Sequence, residues 1–223
     1  MSFTGYSQQA KTLYNKAIVR KALKDYEGSL LLLDSAIKLN PNYSEAYNLR
    51  GKINGFQGSH YESLKDFNKA IEINPEFSIA YYNRGIVKGK IKDYIGAISD
   101  YNKAIKFSPT YSNAYYNRGV IKNTLNDIIG ANKDYTKAIE LNPREVNAYF
   151  NRGDNKNTLA DYQGAINDYS KVIEINPNDS GAYHNRGITR LRINQKKSAC
   201  EDFFAALKLG DNEAAKIIQI YCN

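Results

Sequence analysis

Five arginines, Arg50, Arg84, Arg118, Arg152 and Arg186, are each followed sixteen residues later by an aspartate: Asp66, Asp100, Asp134, Asp168 and Asp202. Opposite charges at one fixed interval fit two chemistries. They can pair as salt bridges between neighbouring elements, or the arginines can form a ladder for anions. The spacing predicts the pairs, because where the basic column reads Lys16 the acidic column reads Leu32, so both partners change together. One helical turn beyond the arginines runs a second basic column, Arg20, Lys88, Lys122, Lys156 and Arg190, interrupted by Asn54. The two columns are a candidate stripe for phosphates or acidic side chains; the plainer reading is a solvated face. Nucleic-acid binding through such a stripe would be strongly salt-dependent, but no recognised nucleic-acid motif accompanies it.

Just before the arginines stand two further columns. One reads Tyr14, Asn48, Tyr82, Tyr116, Phe150 and His184; the next reads Asn15, Leu49, Asn83, Asn117, Asn151 and Asn185. A turn later come Ile18, Lys52, Ile86, Val120, Asp154 and Ile188. An amide side chain is donor and acceptor at once and can hold a peptide backbone without reading its sequence. Aromatic rings supply contact area at small entropic cost. The candidate peptide-binding residues are therefore Asn48, Lys52, Tyr82, Asn83, Tyr116, Asn117, Phe150, Asn151, His184 and Asn185. The local alternative is an asparagine that bonds only its own backbone or water. Catalysis has no comparable support. His60 and His184 are isolated, His60 shares a column with Tyr26, Tyr94 and Tyr162 at core spacing, and no paired carboxylates, nucleophile elbow or phosphate loop occurs. No catalytic residue, cofactor or metal site is expected.

All these columns keep one step. The phrase Ala-Tyr-x-Asn-Arg-Gly, complete at Ala80–Gly85, Ala114–Gly119, Ala148–Gly153 and Ala182–Gly187, recurs every 34 residues, with Ala46–Gly51 as a variant, and Pro41, Pro75, Pro109, Pro143 and Pro177 recur in step. Such a period marks a stack of small units. Within one unit the pattern predicts a helix over Ser78 to about Lys90, a corner at Lys92-Asp93 and a second helix over Tyr94 to about Phe107, stopped at Pro109. Asp25, Asp93, Asp127 and Asp161 precede the second helices as N-caps. The glycines that close the phrase, Gly51 to Gly187, lie inside the first helix, where each costs about 1 kcal/mol relative to alanine. Close approach of the partner helix is the expected cause, with the small Ser63, Ala97, Ala131, Ala165 and Ala199 facing the gap. Tyr47, Tyr81, Tyr115, Tyr149 and Tyr183 of the first helices, with Phe67, Tyr101, Tyr135, Tyr169 and Phe203 of the second, are the expected large core residues.

These units resemble tetratricopeptide repeats, whose pattern Trp, Leu-Gly, Tyr, Ala, Phe, Pro reads here as Tyr, Arg-Gly, Lys, Ala, Tyr or Phe, Pro. The resemblance covers residues 10 to 213 and implies an all-α, right-handed superhelical solenoid of antiparallel helix hairpins. The repeats are 10–43, 44–77, 78–111, 112–145, 146–179 and 180–213, after an unpatterned lead-in at 1–9; a capping helix at about 212–222 follows. It also implies a groove lined by first helices, onto which the aromatic and asparagine columns would face. The asparagine column is similar to the ladder that grips extended peptides in the repeat domain of O-linked N-acetylglucosamine transferase. The family's dicarboxylate clamp for chaperone tails is disfavoured: Tyr14 and Ile18, or Tyr82 and Ile86, stand where lysine and asparagine are required, and of that set only the central asparagine survives.

Composition adds limits. A formal charge of +8 and a pI near 9.2 favour acidic partners in general. No apolar run is long enough to span a membrane. Met1 to Lys11 lacks the build of a secretory signal, so the cytoplasm is expected, with export open if a signal has been removed. Cys200 and Cys222 would lie at similar height on antiparallel helices, which permits a disulfide, an indication of an oxidising compartment; two buried small hydrophobes is the alternative. The expected function is a non-enzymatic scaffold for a protein or peptide partner. The alternatives are an anion-binding module on the Arg/Lys columns, for acidic protein or nucleic acid, and a structural solenoid that self-associates weakly through the ends of the stack.

Overall fold

The computed structural model describes residues 3–222, with side chains from Tyr6 onward. The described residues hold thirteen helices: α1 (Phe3–Ala22), α2 (Tyr26–Leu39), α3 (Ser44–Phe56), α4 (His60–Ile73), α5 (Ser78–Lys90), α6 (Tyr94–Phe107), α7 (Ser112–Thr124), α8 (Ile128–Leu141), α9 (Val146–Thr158), α10 (Tyr162–Ile175), α11 (Ser180–Arg192), α12 (Lys196–Lys208) and α13 (Asn212–Tyr221). The fold is all-α. Helices α5 and α6 have the limits that the repeat predicts, whereas α1 starts at Phe3, so the expected lead-in is helical from that residue.

Two bodies are compact in themselves, one ending at Asn117 and one starting at Arg118. In the first, α1/α2, α3/α4 and α5/α6 are hairpins, with α2 packed on α3 and α4 on α5. In the second, the end of α7 meets α8, α8 packs on α9, the hairpins α9/α10 and α11/α12 follow, and α13 covers α12.

The hairpins are sharp because one residue at each corner is left-handed. These are Lys24, Gly58, Lys92, Asn126, Ala160 and Asn194, with φ between 59° and 86°. A left-handed residue just past a helix lets the chain turn while late carbonyls stay bonded. An aspartate then starts the next helix: Asp25, Asp93, Asp127 and Asp161 accept from the amides of Gly28, Gly96, Gly130 and Gly164 at 2.9–3.0 Å. The cap explains those glycines, since a Cβ on any of them would lie 2.1–2.4 Å from the aspartate oxygen. Where the cap is Ser59 or Gln195, no side-chain cap bond forms and the third position is Glu62 or Ser198.

The core is alternately small and aromatic. Ala46, Ala80, Ala148 and Ala182 of the first helices and Ala70, Ala104, Ala138 and Ala206 of the second are fully buried, beside Phe67, Tyr101, Tyr135, Tyr169 and Phe203. The glycine column departs from expectation. The group pressed against Gly51, Gly85, Gly119, Gly153 and Gly187 is the aromatic ring sixteen residues on, where a Cβ would come within 2.8–3.0 Å, and not chiefly the small residue of the second helix. The first hairpin has Leu33 in place of the ring and tolerates Ala17 in place of glycine, both fully buried. The small residues serve the carbonyls instead: Ser63 Oγ donates to Gly51 O at 2.7 Å and Ser29 Oγ to Ala17 O at 2.8 Å. The first-helix tyrosines are less central than expected, Tyr47, Tyr81 and Tyr183 being half-buried, each under the guanidinium three residues on at 5.4–5.6 Å.

Helix α13 closes the chain as an amphipathic cap. Asp211 accepts from Glu213 N at 3.0 Å to start it, and Ala214, Ile217 and Ile218 pack onto Ala199, Phe203 and Ala206. A disulfide between Cys200 and Cys222, 22 residues apart in sequence, fastens its far end to α12.

Candidate functional site

The first helix of each hairpin carries its side chains in two directions. On the side toward the second helix, every arginine of the phrase meets its aspartate in a fork. Arg50 Nε and Nη2 donate to Asp66 at 3.0 and 2.7 Å, and Arg84, Arg118 and Arg152 hold Asp100, Asp134 and Asp168 with the same two nitrogens at 2.5–2.9 Å. Arg186 binds Asp202 with its closest approach at 2.6 Å. The remaining nitrogen, Nη1, reaches the preceding hairpin: Arg50 to Asp34, Arg84 to Asn68, Arg152 to Thr136 and Arg186 to Ser170, at 2.6–2.9 Å. A planar fork with spare donors suits this double duty, and lysine could not replace it.

The second basic column does not form an open stripe. Lys88, Lys122, Lys156 and Arg190 bind the same aspartates from the other side, at 2.7–2.9 Å. Two cations therefore share one aspartate that is 2–3% exposed, and their charge is directed inward. Arg20 pairs with Asp25 instead. Asn54, where the column is interrupted, gives Asp66 only a neutral bond at 3.3 Å. Burial accordingly pushes the Asp66 carboxyl above its ordinary range, against the opposing hydrogen bond and charge of Arg50.

On the other side lie the groove columns. Asn48, Tyr82, Tyr116, Phe150 and His184 are half-buried, and three of the rings rest on second-helix or loop aromatics: Tyr82 on Tyr111 at 4.7 Å, Phe150 on Tyr169 at 5.8 Å and His184 on Phe203 at 5.9 Å. The asparagines bond across hairpins rather than within their own helix. Asn83 Nδ2 donates to Asn48 Oδ1 at 2.9 Å, Asn117 Nδ2 to Tyr82 Oη at 2.9 Å and Asn185 Nδ2 to Asp154 Oδ1 at 3.1 Å. Asn83 and Asn117 thus fix the aromatic-column residue of the hairpin before them, and Asn185 fixes Asp154; Asn83 is buried and Asn117, Asn151 and Asn185 are half-buried. Lys52 is exposed.

The columns do not show the partners of Asp154, Asn155 and His184. Asp154 accepts from Tyr169 Oη at 2.6 Å, and burial raises both its carboxyl and the Tyr169 hydroxyl. Asn155 is buried in a column that holds Ile53, Val87 and Ile121 earlier, and donates to Asn132 at 2.9 Å. His184 Nδ1 lies 2.5 Å from Asp211, the cap of α13. Tyrosine in place of phenylalanine at 169 was the one available signal, since a buried hydroxyl demands a partner. A depression of about 680 Å³ lies away from this face and is lined by Tyr47, Tyr61, Leu64 and Lys65 among others. His60 is half-buried at the start of α4.

Known proteins match this arrangement. Family models described as tetratricopeptide repeat match residues 44–77, 112–145 and 146–179 in one case and 168–201 in another, and a model described as TPR repeat matches 90–122. Two rice (Oryza sativa subsp. japonica) proteins, DnaJ protein P58IPK homologs A and B, are each 32% identical over 65 residues; the match spans 29% of this chain and 14% of each relative's length. Among solved structures, YrrB, described as a TPR protein with an unusual peptide-binding site, superposes with a TM-score of 0.73 at 22% identity, over 84% of this chain and 97% of its own. Pseudomonas aeruginosa pilF superposes with a TM-score of 0.83 at 13% identity, over 97% and 99%. At those identities the structures speak for the fold alone. The same hairpin at a constant 34-residue step, matched by these models over residues 44–77 and 90–201, makes the chain a member of the tetratricopeptide-repeat family.

Proposed function

We propose that the chain is a non-enzymatic scaffold that holds an extended peptide of a partner protein along the face of its first helices. The observation that carries this reading is the aromatic column, Tyr82, Tyr116, Phe150 and His184, half-buried, with Tyr82 held by Asn117 of the next hairpin, Phe150 packed on Tyr169 and His184 bonded to Asp211. Rings immobilised before binding lose little entropy when a ligand arrives. On this reading the N–H groups of Asn117 and Asn185 that do not bond the preceding hairpin would meet a peptide backbone. Membership of the tetratricopeptide-repeat family favours a protein partner in general, and a peptide partner is the reading in keeping with this geometry. Against the anion-binding alternative stands the engagement of both basic columns by buried aspartates.

The test is selection of binding peptides from a displayed random library by the intact chain, followed by affinity measurement against two variants. Tyr116→Ala with Asn117→Ala should weaken selected peptides about tenfold or more, and Lys88→Ala with Lys122→Ala should leave them bound wherever the variant remains folded. The opposite pattern overturns the groove reading. Weak self-association is a second reading, favoured by Val19 on α1 and Leu23 just past its end, which are 58% and 72% exposed. Sedimentation of Val19→Glu with Leu23→Glu would separate it, since only self-association predicts a smaller particle. The Cys200–Cys222 disulfide supports work in an oxidising compartment rather than the cytosol, and thiol alkylation of the protein taken from its source would decide that point.

A further inference from the structure

Between α3 and α5 a cavity of about 160 Å³ opens on the first-helix face. Its lining includes Gly55, Phe56, Phe67, Ile86 and Val87, with Lys52 and Lys90 also on its wall. Gly51 and Gly55 form part of its wall, with Phe67 packed on Gly51 and Val87 close to Gly55. A dry apolar space of about 150 Å³ accommodates a group the size of benzene, so a leucine, isoleucine or phenylalanine side chain fits it. Both wall lysines are exposed at their ends. A third, Lys21 at the end of α1, is pushed below the ordinary lysine range, first by burial and then by the charge of Lys52. Unlike Lys88, which is held by Asp100, none of these three lysines forms an ion pair among the described residues.

We propose that this cavity and its lysines are an anchor site for an acidic peptide segment, with one apolar side chain seated between α3 and α5 and side-chain carboxylates before and after it paired with the lysines. The proposal deepens the groove reading and rests on it. Internal carboxylates are favoured over a free C-terminus by spacing. The lysines come from three successive first helices; neighbouring helices lie about 10 Å apart, and an extended peptide covers that distance in about three residues. A single terminal carboxylate would meet only one of them. Like charges crowded without an acid are also relieved when a carboxylate arrives.

The test uses a fluorescein-labelled peptide of about twelve residues, acetylated and C-terminally amidated, with one leucine flanked by glutamates, and fluorescence anisotropy with the full chain. Wild type should bind it, and replacing the glutamates by glutamine, the leucine by alanine, or Lys52 and Lys90 by glutamate should each weaken it about tenfold or more. Lys65→Glu with Lys103→Glu, exposed on second helices, changes the net charge equally and should leave binding within about twofold. Equal weakening by that control means diffuse attraction and overturns the site. So does undiminished binding of the glutamine or alanine peptide, or binding only when the peptide ends in a free acid. If this peptide fails while library-selected peptides still depend on Tyr116 and Asn117, the anchor is wrong and the groove reading stands; if both fail, the groove reading falls with it.

Discussion

The first-helix face before Asn117 and the one after Arg118 use the same columns for opposite chemistry. In the first body the face is apolar and basic: Ile18, Phe56 and Ile86 with Lys21, Lys52 and Lys90. In the second, Asp154 stands in the Lys52 column, bonded by Tyr169 and Asn185, buried Asn155 takes a place held elsewhere by isoleucine or valine, and His184 is clasped to Asp211. The packing columns do not share in this difference. Glycine against ring, arginine and a second cation around one buried aspartate, and a left-handed corner recur in both bodies. A repeat stack separates the two tasks because each unit needs only its neighbours to fold, so residues outside the seams are free to differ in sign.

The comparison breaks if the shared columns are not energetically shared. Asp100→Ala in the first body and Asp168→Ala in the second each strand an arginine and a lysine, and each should lower the unfolding free energy by about 3–5 kcal/mol. Urea denaturation measures this, and a large loss in one body with none in the other would refute equivalence. Next in size is a feature confined to the second body. Reducing the Cys200–Cys222 disulfide should cost about 3 kcal/mol; hydrogen exchange should then rise in α13 while the helices before Asn117 keep their protection.

Two smaller changes sharpen it. Asn54→Lys supplies the cation that Asp66 lacks. An acid raised by burial contributes stability below the ordinary aspartate range and loses it as pH rises through the raised value, so the variant should gain about 1 kcal/mol at pH 7 and almost nothing at pH 3. Thermal unfolding at the two pH values checks the sign. Smallest are the corners: Ala160→Gly should stabilise the second body and Gly58→Ala destabilise the first, each by about 0.5–1 kcal/mol, read from denaturant midpoints.

Much of the scaffold was legible before any coordinates. The limits of α5 and α6, the aspartate caps and the 34-residue step follow from local rules that hold in any helical hairpin. The glycine three residues after each of these aspartate caps went unread, and it makes sense only once the cap oxygen is seen to occupy the space of a Cβ. The groove was read less well. Asn83 looks like an open peptide grip in a list of columns, but helix stacking turns it into the seam against Asn48. Lys88 looks like part of a basic stripe, but the hairpin's closure brings Asp100 within 2.9 Å. A column shows which residues share a face; it does not show what the neighbouring unit offers them.

The phrase Ala-Tyr-x-Asn-Arg-Gly by itself determined that this chain is a stack of helix hairpins, because period, helix caps and small-residue placement are set within one unit. Tertiary packing alone decided the meaning of its charges. Two cations converge on one buried aspartate and lose their freedom to bind anything else, whereas Lys52 and Lys90, far apart in sequence, stand on the wall of one cavity with Lys21 close to Lys52, and none of the three forms an ion pair among the described residues. The physical reason is that the energy of a charge depends on its surroundings, which the chain acquires only when one hairpin is laid against the next.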